Sequence, residues 1–189
     1  MAIKSKNKNI LVGISGGISS YKTCILVRLL VKSGFFVKVI MTENAVKFVT
    51  PLVFQSLSQN PVYIDMFKIF AEDSNQHIRL AQWADTCVIA PLSANTLSKI
   101  ATGICDNLLT TVTCALPQKT KVLLAPAMNE NMWKNPIIQN NVERLKIDNK
   151  FIIIPPRKGQ LACGICGEGK MAAVDNIYKE INSILRKSR

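Results

Sequence analysis

The stretch Asn9-Ile-Leu-Val-Gly-Ile-Ser-Gly-Gly-Ile-Ser-Ser-Tyr-Lys22, with Phe35-Phe-Val-Lys-Val-Ile-Met41 behind it, carries the reading of the fold. The apolar run 9–14 predicts a strand, and Gly16 and Gly17 a tight turn after it. Tyr21, Cys24, Ile25, Val27 and Leu29 supply the apolar positions of a helix that Gly34 closes, and 35–41 predicts a second strand. Two strands joined through a helix need a crossover connection, which is right-handed in nearly all known cases and leaves the strands parallel.

The same alternation continues. Short helices are expected at 45–48 and 51–58, a short strand at 61–64, a loop over 68–75 and a helix at 77–83. Strands follow at 86–90, 121–125 and 151–154, with helices at 97–101, 106–116, 136–147 and 174–185 between and after them. This predicts an α/β chain with a Rossmann-like (flavodoxin-like) doubly wound parallel sheet. It is read as one domain over 1–189, with flexible tails at 1–8 and 186–189 and a glycine-rich flap at 157–172.

Two polar strings lie where such a sheet keeps its ligand. Pro91-Leu-Ser-Ala-Asn-Thr96 follows the strand at 86–90, and Pro126-Ala-Met-Asn-Glu-Asn-Met-Trp133 follows that at 121–125. Ser93, Asn95 and Thr96 would serve as helix caps in either string alone, but one cap needs only one such side chain. Two strings at successive strand ends point to a shared pocket for an anionic ligand. Gly13, Gly16 and Gly17 do not form the G-x-G-x-x-G spacing of a dinucleotide site. His77 is the only histidine and stands where a loop becomes a helix, suited to proton transfer near neutral pH. Cys163 sits in the flap as a candidate thiol acid or nucleophile, and Asn129 offers both a donor and an acceptor.

Composition narrows the class. Twenty-four Lys and Arg against twelve Asp and Glu give a formal charge of +12. Six of those cations, Lys4, Lys6, Lys8, Arg186, Lys187 and Arg189, lie in the tails, and no groove-reading motif places the rest, so nucleic acid is not expected. No apolar run approaches the ~20 residues of a membrane span and no signal-peptide pattern is present, which predicts a soluble cytoplasmic protein. Of six scattered cysteines only Cys163-Gly-Ile-Cys166 has metal-ligand spacing; with no second pair and a single histidine, no metal site is expected.

With these motifs in order, the chain resembles the flavin-containing cysteine decarboxylases. The resemblance runs from about Asn9 to Met171. It rests on 13–22, on His77-Ile with Trp83-Ala-Asp85, on 91–96 and 126–133, on Cys105-Asp-Asn-Leu-Leu-Thr110, and on Leu161-Ala-Cys-Gly164 with Gly167-Glu-Gly-Lys-Met171. It implies FMN held by Gly16, Gly17 and Ile18, by Thr42, Glu43 and Asn44, by Ser93, Ala94, Asn95 and Thr96, and by Ala127. It implies His77 as catalytic base, and Asn129, Gln160, Ala162 and Met171 around a substrate that the flap closes over. Assembly as a homotrimer with flavin at the subunit interfaces is also implied, and further assembly of trimers into a dodecamer is left open.

The chemistry so implied explains why a redox group serves a reaction without net oxidation. Oxidising the substrate's cysteine side chain to a thioaldehyde places C=S β to the carboxylate, so that the electrons released with carbon dioxide flow onto sulfur. The enethiol is then reduced, with Cys163 giving the proton. That last step separates the coenzyme A branch, acting on 4′-phosphopantothenoylcysteine made by a separate ligase, from the peptidyl-cysteine decarboxylases that stop at the enethiol. A flavin prenyltransferase and a non-enzymatic flavin-binding regulatory subunit are the readings outside the family's chemistry. The family's acidic flap residue is replaced here by Ile165, and Cys166 adds a second thiol.

Overall fold

A computed structural model describes residues 8–67, 75–160, 164 and 166–187. The chain runs β1 (Asn9–Ile14), α1 (Ser20–Lys32), β2 (Phe36–Met41), α2 (Glu43–Val46), α3 (Pro51–Ser58) and β3 (Val62–Tyr63). It continues through α4 (Gln76–Trp83), β4 (Thr86–Leu92), α5 (Ala94–Thr102), α6 (Leu108–Ala115), β5 (Lys121–Pro126), α7 (Glu130–Lys134), α8 (Pro136–Ile147) and β6 (Phe151–Ile153). A two-stranded hairpin of β7 (Arg157–Gln160) and β8 (Cys166–Lys170) precedes α9 (Val174–Lys187). Residues 1–7 and 188–189 of the expected tails and 68–74 of the expected loop lie outside the described residues.

Six strands pair in parallel in the order β3-β2-β1-β4-β5-β6. That is the Rossmann order, so the doubly wound parallel sheet expected from the sequence is present. Because side chains alternate across a strand, each strand feeds two cores. Ile10, Val12, Val88 and Leu123 pack with Leu26, Leu30, Phe54, Ile177 and Ile181 of α1, α3 and α9. Leu11, Cys87, Ile89, Val122 and Leu124 pack with Leu80, Leu97, Leu109, Val142 and Leu145 of α4, α5, α6 and α8. Burial on both faces is why these strands read as continuous apolar runs rather than alternating ones.

Local chemistry sets the boundaries. Ser93 caps α5, accepting from the Thr96 N–H at 3.3 Å, and Gly103 ends it in the left-handed region (φ 74°). Asn107 and Thr110 form a reciprocal capping box on α6. β4 runs two residues beyond the expected end at Ala90, because Leu92 still pairs with Pro126 after a register shift. Gly13 is where β1 meets α6: a Cβ there would stand 2.5 Å from Leu109 Cδ1. Among the described residues no helix is long and apolar enough to cross a membrane.

Candidate functional site

The order places β1 beside β4, so the chain leaves these neighbours in opposite directions and opens a crevice at their carboxyl ends. A cavity of about 580 Å³ occupies it. Gly16 to Ser19 line it from the β1–α1 turn, Ser93 and Ala94 from the end of β4, and Ala127, Met128 and Asn129 from the end of β5. The hairpin supplies Gln160, Gly169 and Lys170.

A buried polar stitch joins the first two loops. Ser15 is wholly buried; its Oγ–H donates to the Pro91 carbonyl at 2.8 Å and the same oxygen accepts the Ser93 N–H at 2.7 Å. Thr23 of α1 donates to the Ala90 carbonyl at 2.6 Å. The hairpin is fastened as firmly to the third loop. The Met128 N–H donates to the Gly169 carbonyl at 3.0 Å, and Glu130 accepts the Glu168 N–H at 3.3 Å while pairing with Lys134 at 2.7 Å. The Lys134 bond, then the Glu168 N–H, hold the Glu130 carboxyl below the usual range. A Cβ on Gly169 would run into the Met128 carbonyl, which is why glycine stands there.

The β1–α1 turn suits an anion. Ser19 gives α1 no side-chain cap, and the N–H groups of Gly16, Gly17, Ile18 and Ser19 bond to no acceptor among the described residues. Open donors at the start of a 13-residue helix are a phosphate-binding arrangement. A Cβ at Gly17 would meet nothing nearer than 4.0 Å, so its side is open, whereas one at Gly16 would press on Asn44 Cβ at 2.8 Å.

Of the expected site residues, Gly16, Gly17, Ile18, Ser93, Ala94, Ala127, Asn129 and Gln160 come together on this cavity. Asn44 backs Gly16 and Glu43 is exposed, while Thr42 caps α2 by accepting the Ala45 N–H at 3.2 Å. Asn95 is exposed on α5, and Thr96 is buried as the bonding partner of Ser93. Met171 is fully buried in the core shared with α9 rather than on the wall; its neighbours Gly169 and Lys170 face the cavity. His77 is half-buried, second in α4, and is not on the wall formed by its own chain. Ala162, Cys163 and Ile165 lie outside the described residues.

Sequence reasoning passed over Ser15, Tyr21, Lys22, Met128, Met132 and Lys170. Tyr21 and Lys22 belong to the first turn of a helix already assigned to the site, so their position was the available signal. The Lys22 ammonium is held below its ordinary pKa first by burial, then by the charges of Lys170 and Arg157.

The Flavoprotein family model matches residues 2–186. The chain belongs to this family. It is 44% identical over 173 residues to the coenzyme A biosynthesis bifunctional protein CoaBC of Bacillus subtilis, covering 92% of this chain and 42% of that one. It is 44% identical over 183 residues to the probable phosphopantothenoylcysteine decarboxylase of Streptococcus mutans, covering 94% and 99%. The chain therefore spans less than half the length of the bifunctional relative and nearly all of the other. Among solved structures, a mutant PPC decarboxylase complexed with pantothenoylaminoethenethiol aligns with TM-score 0.85 at 33% identity, over 96% of this chain and 100% of that one. The FMN binding protein AtHal3 aligns with TM-score 0.82 at 34% identity, over 96% and 98%.

Proposed function

We propose that the chain is an FMN-dependent decarboxylase converting 4′-phosphopantothenoylcysteine to 4′-phosphopantetheine in coenzyme A biosynthesis. The observation that carries the reading is a cavity at the β1–β4 switch point, floored by open backbone donors and roofed by a hairpin fastened to the Asn129 loop. The open N–H groups at 16–19 and the Ser93 loop fit the phosphate of a flavin mononucleotide, and the glycine turn leaves its ring room to approach the backbone. A flavin held there would supply reversible two-electron redox chemistry at the substrate's thiol-bearing carbon.

The chain's own residues do the rest. Asn129 orients the substrate. Its side-chain oxygen is fixed by the Asn131 N–H at 2.8 Å, which sets the direction of the amide. His77 takes the proton released in the oxidative half, and Cys163 delivers one in the reductive half. The hairpin excludes water from the reactive intermediate.

His77 would then act in a neighbouring subunit's site, within a homotrimer. Ile18 in the turn before α1, and Tyr21 and Ile25 in its first two turns, are 57%, 53% and 56% exposed, and this apolar stripe supports burial against a second copy. A ligase that makes the substrate would be the partner in the pathway, and the cytoplasm the compartment.

The test is incubation of the flavin-loaded protein with 4′-phosphopantothenoylcysteine and, separately, with a peptide ending in cysteine, followed by product mass. Loss of carbon dioxide alone, giving phosphopantetheine, supports the proposal. Loss of carbon dioxide and two further hydrogens, seen only with the peptide, overturns it in favour of peptide modification, and turnover of neither removes the decarboxylase reading. Sedimentation of the holoprotein as a monomer would remove the trimer.

A further inference from the structure

The cavity has a positive corner that the chemistry at the cysteine end does not use. Lys22 on α1 and Lys170 on β8 both line the wall. Arg157 stands opposite Lys170 in the antiparallel register of the hairpin. Lys22 lies within the electrostatic reach of both Lys170 and Arg157, so two cations on the wall and a third beside it gather at this corner.

No ion pair among the described residues neutralises them. Among the described residues the ion pairs are Lys8–Asp85, Lys99–Asp106, Lys134–Glu130 and Lys146–Glu143, and none involves this corner. The hairpin's other lysine is balanced: Lys158 faces Glu168 across the strands and lies within the field of Glu130. Lys22 is half-buried, and both burial and its two neighbours disfavour its charge. Like charges gathered on a cavity wall without a counter-ion fit a ligand that brings the negative charge itself. A phosphate monoester, with nearly two charges at neutral pH and three acceptor oxygens, matches three convergent cations better than a single carboxylate does.

Two phosphates could be meant, the flavin's and the substrate's. The strand-end loops already offer the flavin open backbone donors at 16–19. Two of the three cations instead belong to the hairpin, the element that roofs the cavity. We propose that Lys22, Arg157 and Lys170 form the subsite that grips the terminal phosphate of the substrate, and so set the preference for a phosphorylated over an unphosphorylated pantothenoyl substrate. This rests on the decarboxylase reading above and deepens it.

The experiment compares kcat/KM on 4′-phosphopantothenoylcysteine and on pantothenoylcysteine for the flavin-loaded wild type, Arg157→Gln, Lys170→Gln and the double variant. Flavin content is measured in each, and calorimetry follows inorganic phosphate binding to the holoprotein. Loss of one charge-assisted contact is worth about tenfold or more. Each single variant should therefore lose about tenfold more on the phosphorylated than on the unphosphorylated substrate, through KM. The wild-type preference should shrink below about pH 6 as the phosphate takes up a proton, and phosphate binding should vanish in the double variant.

Equal losses on both substrates, or a preference left intact, would overturn the proposal. Release of flavin with the preference intact would reassign the cations to the cofactor's phosphate and overturn it too. If the wild type turns over neither substrate, the decarboxylase reading has failed by itself. Calorimetry then decides: phosphate bound by the wild type and lost in the double variant keeps the anion subsite, and no binding removes it.

Discussion

Replacing Ser15 by alanine deletes one oxygen from a position with no solvent exposure, and the structure allows the cost to be worked out. The Pro91 carbonyl would lose the hydroxyl donor at 2.8 Å but keep the Ser15 N–H at 3.2 Å. The Ser93 N–H, which donates to the hydroxyl at 2.7 Å, would be left without an acceptor. A net hydrogen bond contributes about 1 kcal/mol and an orphaned, partly buried donor costs about 1–3 kcal/mol. The expected loss is about 3 kcal/mol, or a melting temperature lower by about 6–12 °C in a domain of this size. Thermal melts of the flavin-free protein measure it without the stabilisation that bound ligand adds. Flavin titration measures the second effect, about tenfold weaker binding as the Ser93 loop loses its position. Thr23→Val is the control: it removes the donor to the Ala90 carbonyl and should lower stability while leaving flavin affinity nearly as it was. A Ser15→Ala melt within about 2 °C of wild type would refute the reasoning, as would a large stability loss with flavin affinity unchanged.

The buried Cys87 thiol, pushed by burial up to about 12 from 9.0, makes stability fall with alkali. Below pH 9 folded and unfolded chains both hold the proton, whereas between 9 and about 12 only the folded chain does. The wild type should therefore lose about 1.4 kcal/mol relative to Cys87→Ala between pH 8 and 10 in urea melts, and parallel pH profiles would contradict this. Thr86 Oγ1 is buried without a hydrogen-bond partner among the described residues. Thr86→Val should raise stability by about 1 kcal/mol, read as a higher denaturant midpoint at unchanged m, and a lower midpoint would show that the hydroxyl has a partner. Gly13→Ala should cost about 1–3 kcal/mol through the contact with Leu109. In a Leu109→Ala background that penalty should largely vanish; strictly additive losses would show that the contact is not the constraint.

The framework of strands and helices was legible because apolar period and glycine punctuation agree along the chain. The run 9–14, Gly34 and the run 35–41 left one sensible topology. The site was legible in outline for the same reason, since the 91–96 and 126–133 strings fall at strand ends that must converge. What escaped depends on distance in space. Ser15 reads as one more polar residue in a glycine turn; only the pairing of β1 with β4 brings it to Pro91 and Ser93. Met171 reads as flap, yet the turn into α9 carries it into the core. The five-residue α7 is too short for periodicity to reveal, and is specified by the Asn129 cap and the Glu130–Lys134 pair. His77 reads as a proton-transfer group by residue type alone, and residue type does not say where α4 carries it: it is not among the residues that line the cavity.

The fastening of the hairpin separates two things that a loop usually keeps together. Its alignment over the cavity is fixed at the root, by the Met128–Gly169 and Glu130–Glu168 contacts. Cys166, paired with Gln160 at the far end of the strands, can vary without moving the anchor that sets where the roof sits. Selection can then alter what the roof presents to the cavity one residue at a time, while each intermediate sequence keeps the cavity roofed.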